Sequence, residues 1–231
     1  MKKNLISTIA VDGPAASGKS TLGEHLAKTF NYTYLDTGVM YRAVTLAALN
    51  QSIDFDDEDR VSEIAESMEL DVRRPSINDG RSNDIILDGQ DVTWAIRSAE
   101  VERNVSKVSA YQRVRTAMTE QQRRIAKRGR IVMVGRDIGT VVLPEAEIKL
   151  YLEASVEERA HRRYLELINR GKAVTFEEIL SDMVRRDQFD STRAIAPLRP
   201  AEDAIIINSD HMNADQVYEY SCKIISAHCS N

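Results

Sequence analysis

The chain has 231 residues, which fits one domain or one domain carrying insertions. Apolar residues make up 42% and charged residues 29%, enough for a real core. The formal net charge of −5 argues against a surface given over to nucleic acid, although a local basic cleft stays compatible with it.

The start, Met1-Lys2-Lys3 and then Leu5–Val11, faintly resembles a secretory signal. The apolar run is short, holds Ser7 and Thr8, and leads directly into a glycine loop. It reads as a first strand, Ile6–Val11, ending at Asp12-Gly13-Pro14. Thr21–Phe30 reads as a helix with Leu22, Leu26 and Phe30 on one face. Tyr32–Leu35 is a short strand, punctuated by Asp36-Thr37-Gly38, and Met40–Leu49 is helical again. This alternation predicts a parallel sheet with crossover helices. An acidic stretch, Asp54–Asp59, opens a helix to about Leu70. Between Leu70 and Asp91 lie short β-like pieces, Leu70–Arg73 and Asp84–Leu87, and an Asp88-Gly89 turn signal. They predict a small antiparallel unit, so residues 55–100 read as an insertion on a core formed by 1–54 and 101–231.

Ser98–Arg128 is helical and charged, with two helices meeting near Ala110–Gln112. Arg130–Val134 reads as a buried strand, ended by Gly135-Arg136-Asp137, and Glu147–Leu152 as another strand in which Ile148, Leu150 and Leu152 alternate. Ser155 with Glu158, and Thr175 with Glu178, have capping-box spacing and start two arginine-rich helices. Ile205–Ile207 is wholly apolar and so is expected at the sheet centre. Asn213–His228 closes the chain as a helix. Cys222 and Cys229 lie about two helical turns apart, roughly 10 Å, too far for a disulfide. No Cys/His cluster has metal-ligand spacing. No stretch is long enough to span a membrane, and a cytoplasmic protein is expected.

Gly13-Pro14-Ala15-Ala16-Ser17-Gly18-Lys19-Ser20, followed by Thr21, matches the phosphate-binding pattern G-x-x-x-x-G-K-[ST]. The glycines let backbone N–H groups converge on phosphate oxygens. Lys19 supplies a point charge, the Ser20 hydroxyl can ligate Mg²⁺, and the helix directs its positive end at the anion. An apolar strand before the loop and an amphipathic helix after it are the context this motif requires. The loop alone does not separate a kinase from a motor or a switch. Ile131–Val134 ends in Gly135-Arg136-Asp137, and an arginine beside the acid favours a second bound anion.

Phosphoryl transfer rests on positioning and charge stabilisation, so several cations are expected around the phosphate in flight. Eight arginines fall between Ser155 and Arg199. Arg159 and Arg163 share a helix face, as do Arg186, Asp190 and Arg193 if the helix persists. Solvated ion pairing, for example of Glu157 or Glu158 with nearby arginines, is the competing reading of any one of them. The four histidines lack a carboxylate-oriented pattern and are not assigned to chemistry.

Four segments together resemble bacterial-type cytidylate kinase over essentially the whole chain: Asp12-Gly13-Pro14…Gly18-Lys19-Ser20-Thr21, Leu35-Asp36-Thr37-Gly38…Tyr41-Arg42, Gly135-Arg136-Asp137-Ile138-Gly139-Thr140 and Arg193-Ala194…Ala196-Pro197-Leu198. The resemblance implies a three-layer α/β P-loop fold with a parallel central sheet, a CMP-binding α+β insertion and a short helical lid over about 155–197. It implies transfer from ATP, with Mg²⁺, to CMP or dCMP. Separately, a monomer that engages neither nucleic acid nor membrane is expected. Carried over by position, Arg42, Arg136 and Arg193 hold the CMP phosphate, with Thr37 nearby. Ser106, Arg115 and Asp137 read cytosine, and Arg186 and Asp190 serve phosphate and ribose. Arg159 and Arg163 are lid groups near the ATP phosphates. Alternatives are a P-loop kinase for another small acceptor, such as a different nucleoside monophosphate or shikimate, and a nucleotide sensor with no acceptor.

Overall fold

A computed structural model describes residues 6–228. Cys229, and the start of the signal-like segment at Met1–Leu5, lie outside the described residues. In chain order the elements are β1 (Thr8–Asp12), α1 (Lys19–Phe30), β2 (Thr33–Asp36), α2 (Gly38–Asn50) and α3 (Glu58–Ser67). Then follow β3 (Leu70–Arg73), β4 (Asp84–Leu87), β5 (Gln90–Asp91), α4 (Ala99–Val108), α5 (Gln112–Ala126) and β6 (Ile131–Gly135). The chain ends with β7 (Ile148–Glu153), α6 (Val156–Asn169), α7 (Phe176–Thr192), β8 (Ile205–Asn208) and α8 (Ala214–His228). It divides into two units, Met1–Tyr32 with Val132–Asn231, and Thr33–Ile131.

The first unit is built on strands in the order β6-β1-β7-β8. β1 pairs with β7 in parallel, Ile9 opposite Ile148 and Val11 opposite Leu150. β7 pairs with β8 in parallel, Leu150 opposite Ile205 and Leu152 opposite Ile207. Every residue of β6 is buried, as its unbroken apolar run predicts. β8 departs from expectation: it lies at the edge of the sheet, with Ile205 and Ile206 exposed and Ile207 buried. An apolar triplet is compatible with either place, and pairing on one side decided it.

Helix α1 buries Leu22 and Leu26, and stops at Asn31, whose left-handed backbone (φ 53°) lets its N–H reach Ala27 O. The Thr175–Glu178 capping box at α7 is complete in both directions. At α6 only half forms: Ser155 accepts from the Glu158 N–H, while the Glu158 carboxylate turns to Arg162 at 2.8 Å. The edge-on rings of Tyr164 and Phe176, 6.4 Å apart, join the two helices.

In the second unit α2 is buried along most of its length, including Met40, Ala43, Val44 and Ala48. Strands β3, β4 and β5 form an antiparallel sheet with Leu70 opposite Leu87 and Val72 opposite Ile85. Asp88 (φ 47°) and Gly89 (φ 81°) make the two-residue turn between β4 and β5. Arg81 ties this region by donating to Asp79, Asp84 and Asp91 at 2.6–2.9 Å, and the Trp94 indole also donates to Asp79.

The closest constraint in the first unit is at Gly13, where φ is +148° and an added Cβ would stand 2.1 Å from the Leu152 carbonyl oxygen. No side-chain rotation relieves a clash with backbone. Gly13→Ala is expected to cost about 1–3 kcal/mol or more, lowering the melting temperature by about 2–10 °C. Gly80→Ala, at φ +89° with nothing within 4 Å of the new carbon, should cost less. Thermal unfolding followed by circular dichroism checks the ordering.

Candidate active site

The loop from Gly13 to Ser20 joins the buried end of β1 to the first turn of α1. Gly13 and Gly18 both have positive φ, and so does Ala16 at 57°, a conformation that costs an alanine about 1–2 kcal/mol. Strain of this kind persists where surrounding structure imposes it, and here it turns the loop back around Lys19. That side chain is buried, and its ammonium donates to Pro14 O at 2.5 Å and lies 3.5 Å from Ser17 Oγ. The cation is therefore held inside the loop. Ser20 and Thr21, on the first turn of α1, are exposed.

Arg136 and Asp137 follow β6. The Arg136 Nε donates to Asp190 Oδ2 at 3.0 Å. Arg193 is nearly buried, with guanidinium nitrogens 3.8 Å from Asp190 and 3.9 Å from Asp137. Helix α7 ends at Thr192, so Arg193 does not continue the helical face with Arg186 and Asp190. It is the C-cap, in extended backbone, and its Nε donates to Ala196 O at 2.6 Å. The loop then folds back as Leu198 N donates to Asp190 O. Two arginines and two carboxylates thus share one cluster. Arg186 is half-buried on α7.

Asp12, the last residue of β1, accepts from the backbone N–H groups of Ile138 at 2.8 Å and Gly139 at 2.7 Å. Burial raises its pKa to about 6, opposed by those two N–H donors and by Lys19, and reinforced by the nearby charge of Asp137.

On α6, Arg159 is buried and donates to Asp187 with both terminal nitrogens, at 3.1 and 2.5 Å. It also donates to Ala154 O and, inside the glycine loop, to Ala15 O at 3.2 Å. Arg163 pairs with Glu166 at 2.9 Å. The shared face expected of Arg159 and Arg163 thus carries one loop-bound arginine and one with a partner on its own helix. Asp187 escaped sequence reading because its partner lies 28 positions away, on another helix. A cavity of about 610 Å³ opens beside the loop, lined by Gly18, Thr21, Arg162, Asp210, His211 and Met212. Asp210 and His211 follow the last strand. Arg162 is anchored to Ser209 O at 2.6 Å, a contact no spacing rule signals.

The remaining candidates belong to the second unit. Thr37 is buried at the N-cap of α2. Arg42, on α2, pairs with Glu102 of α4 at 2.5 Å. Arg115, on α5, is buried, donates to Ser109 O at 3.0 Å and sits over the Tyr41 ring at 5.4 Å. Ser106 is half-buried on α4, and its carbonyl accepts from the Ser109 hydroxyl. The unit therefore brings Tyr41 and Arg115 together and places Arg42 next to Tyr41 in sequence.

A family model described as cytidylate kinase matches residues 9–227. The chain belongs to the cytidylate kinase family. A cytidylate kinase of Herpetosiphon aurantiacus is 49% identical over 212 residues, covering 92% of this chain and 91% of that protein. One from Chloroflexus aggregans is 51% identical over 203 residues, covering 88% and 86%. An uncharacterized protein from Eubacterium ventriosum shares the fold, with a TM-score of 0.50 at 13% identity over 95% of this chain and 98% of that one. As a cytidylate kinase family member the chain is an enzyme with the P-loop α/β fold, and the family match runs through every segment described above.

Because the folded-state pKa of Asp12 lies above its ordinary 3.8, the stability it contributes is present below that value and is lost as pH rises through about 6. The two-unit difference corresponds to about 3 kcal/mol in all. Denaturant unfolding of the wild type should lose about 2 kcal/mol relative to Asp12→Asn between about pH 4.5 and about pH 7.5. A pH-independent difference would show that burial does not govern this carboxyl.

Proposed function

We propose that this enzyme transfers the γ-phosphate of ATP to CMP and dCMP, giving CDP and dCDP. The observation that carries the reading is the cluster of Arg136, Asp137, Asp190 and Arg193, hydrogen-bonded through the next two residues to the strand that feeds the glycine loop. A donor loop with its own buried lysine and a separate arginine–carboxylate cluster suit two phosphate-bearing ligands.

In this reading the N–H groups of Gly13–Thr21 cradle the ATP phosphates and Lys19 adds its charge at the β/γ end. Arg159 and Arg163 approach those phosphates from the lid, residues 155–197. Among the described residues no group of three or more acidic, histidine or cysteine side chains could hold a metal ion. Mg²⁺ fits that composition, since it is commonly held by few protein oxygens and completed by phosphate and water. The exposed Ser20 hydroxyl is the protein oxygen that would hold it. When bound it neutralises charge on the β- and γ-phosphates.

Arg42, Arg136 and Arg193 clamp the acceptor phosphate, with Thr37 beside it, and Arg186 and Asp190 serve phosphate and ribose. Asp137 accepts from the cytosine amino group, while Arg115 and Ser106 complete the base edge. Uracil presents a carbonyl where cytosine has the amino group, and that carbonyl opposes a carboxylate. Transfer is direct and in line, with no histidine intermediate. We assign the acceptor-binding insertion to residues 55–100, and the core to 1–54 and 101–231. The enzyme is taken as a cytoplasmic monomer that binds neither nucleic acid nor membrane; the net charge of −5 supports the first of these exclusions.

Two measurements test the reading. Coupled ADP release across CMP, dCMP, UMP, AMP, GMP and TMP should give the highest kcat/KM with CMP or dCMP, and Asp137→Ala should narrow the CMP-over-UMP ratio by at least about tenfold. A higher value with UMP or AMP would refute the substrate assignment. Lys19→Met should keep the circular dichroism spectrum and lower kcat by at least about 100-fold. Unchanged turnover would refute the role of the loop.

A further inference from the structure

We infer that Asp12 is a positioning residue that couples the ATP-binding loop to the acceptor-reading strand end, so that one carboxylate sets both halves of the reaction. The inference rests on the phosphotransfer reading above and adds a residue that the reading leaves without a role.

Asp12 occupies a junction in the chain. Its backbone immediately precedes Gly13, the first residue of the loop. Its two carboxylate oxygens accept from Ile138 N and Gly139 N, which immediately follow Arg136 and Asp137. Those N–H groups open a single wide helical turn, Ile138–Val142, in which Val142 N donates to Asp137 O and Leu143 N to Ile138 O. The first N–H groups of any helical turn lack a partner within it. Here a side chain from another strand supplies both acceptors. Asp137 in turn lies near Arg193, which approaches Asp190, the partner of Arg136. A displacement of Asp12 would therefore reach the whole cluster.

The packing around this contact is tight on both sides. A Cβ on Gly139 would stand 3.4 Å from Asp12 Oδ2, and 3.2 and 3.3 Å from carbons of the Lys149 side chain. Lys149 is itself fixed by Asp203 at 2.7 Å. The absence of a side chain at position 139 lets the turn approach the carboxylate. Stability alone does not explain such a group. A buried carboxylate is costly near neutral pH, and apolar side chains of similar volume commonly serve a fold as well or better. Perturbed acids of this kind concentrate at functional sites. An amide at position 12 would keep the shape and lose the function, because its one oxygen can satisfy one N–H while its NH₂ opposes the other.

The test compares wild type, Asp12→Asn and Gly139→Ala in steady-state kinetics with ATP and with each monophosphate. Asp12→Asn should lower kcat at least about tenfold, narrow the CMP-over-UMP ratio at least about fivefold and raise KM for ATP at least about threefold, whereas an unchanged KM for ATP would confine Asp12 to the acceptor side and overturn the coupling. Gly139→Ala, which disturbs the same contact from the other side, should shift kcat and the ratio in the same directions by less. Loss of turnover with an unchanged base ratio would confine Asp12 to the loop and overturn the coupling. Wild-type behaviour of Gly139→Ala would also overturn it, including where Asp12→Asn fails to fold. If the wild type prefers another monophosphate, the substrate assignment falls, and the coupling is judged by the ratio for the preferred base.

Discussion

Arginines brought close together repel one another, and in this protein carboxylates stand beside them. Within the second unit Arg42 is paired with Glu102; within the first, Arg136 is paired with Asp190 and Arg159 with Asp187, while Arg193 lies near Asp137 and Asp190. Two unit charges about 4 Å apart interact by about 4 kcal/mol near a protein surface, so such a cluster needs its counter-charges to stay assembled. The pairs also fix geometry. A guanidinium held in a fork loses less freedom when a phosphate oxygen joins it.

The same economy governs the glycine loop. Lys19 is turned onto Pro14 O, and Arg159 reaches Ala15 O, so the loop's own carbonyls hold cations that phosphate would otherwise attract. Gly13 makes this possible by passing close against the Leu152 carbonyl, where a side chain has no room. The loop is thus shaped from below by β7 and from within by its own lysine. Membership of the cytidylate kinase family gives this geometry its chemical setting.

Much of this was legible in the residues. The loop motif, the alternation of strand and helix, the pieces Leu70–Arg73 and Asp84–Leu87 and the Thr175–Glu178 cap follow from local rules, and they appear where those rules put them. What escaped depends on distance along the chain. Asp187 meets Arg159 across two helices, and Asp12 meets Ile138 and Gly139 over more than a hundred positions. Neither contact leaves a periodic trace. β8 was misplaced because an apolar triplet carries no record of how many neighbours it pairs with. Arg193 would share the face of Arg186 and Asp190 only if the helix persisted, and it caps the helix because α7 ends one residue earlier. The roles proposed for Ser106 and Arg115 rest on resemblance, since neither belongs to a motif that local rules pick out.

The central claim is that two nucleotides exchange a phosphoryl group directly, without passing it through the protein or losing it to water. A single turnover with [γ-³²P]ATP and excess CMP, quenched and separated by chromatography, measures this most directly. The account predicts label in CDP, none bound to protein, and little inorganic phosphate. Label retained on the protein, or released as inorganic phosphate at a rate indifferent to CMP, would contradict it.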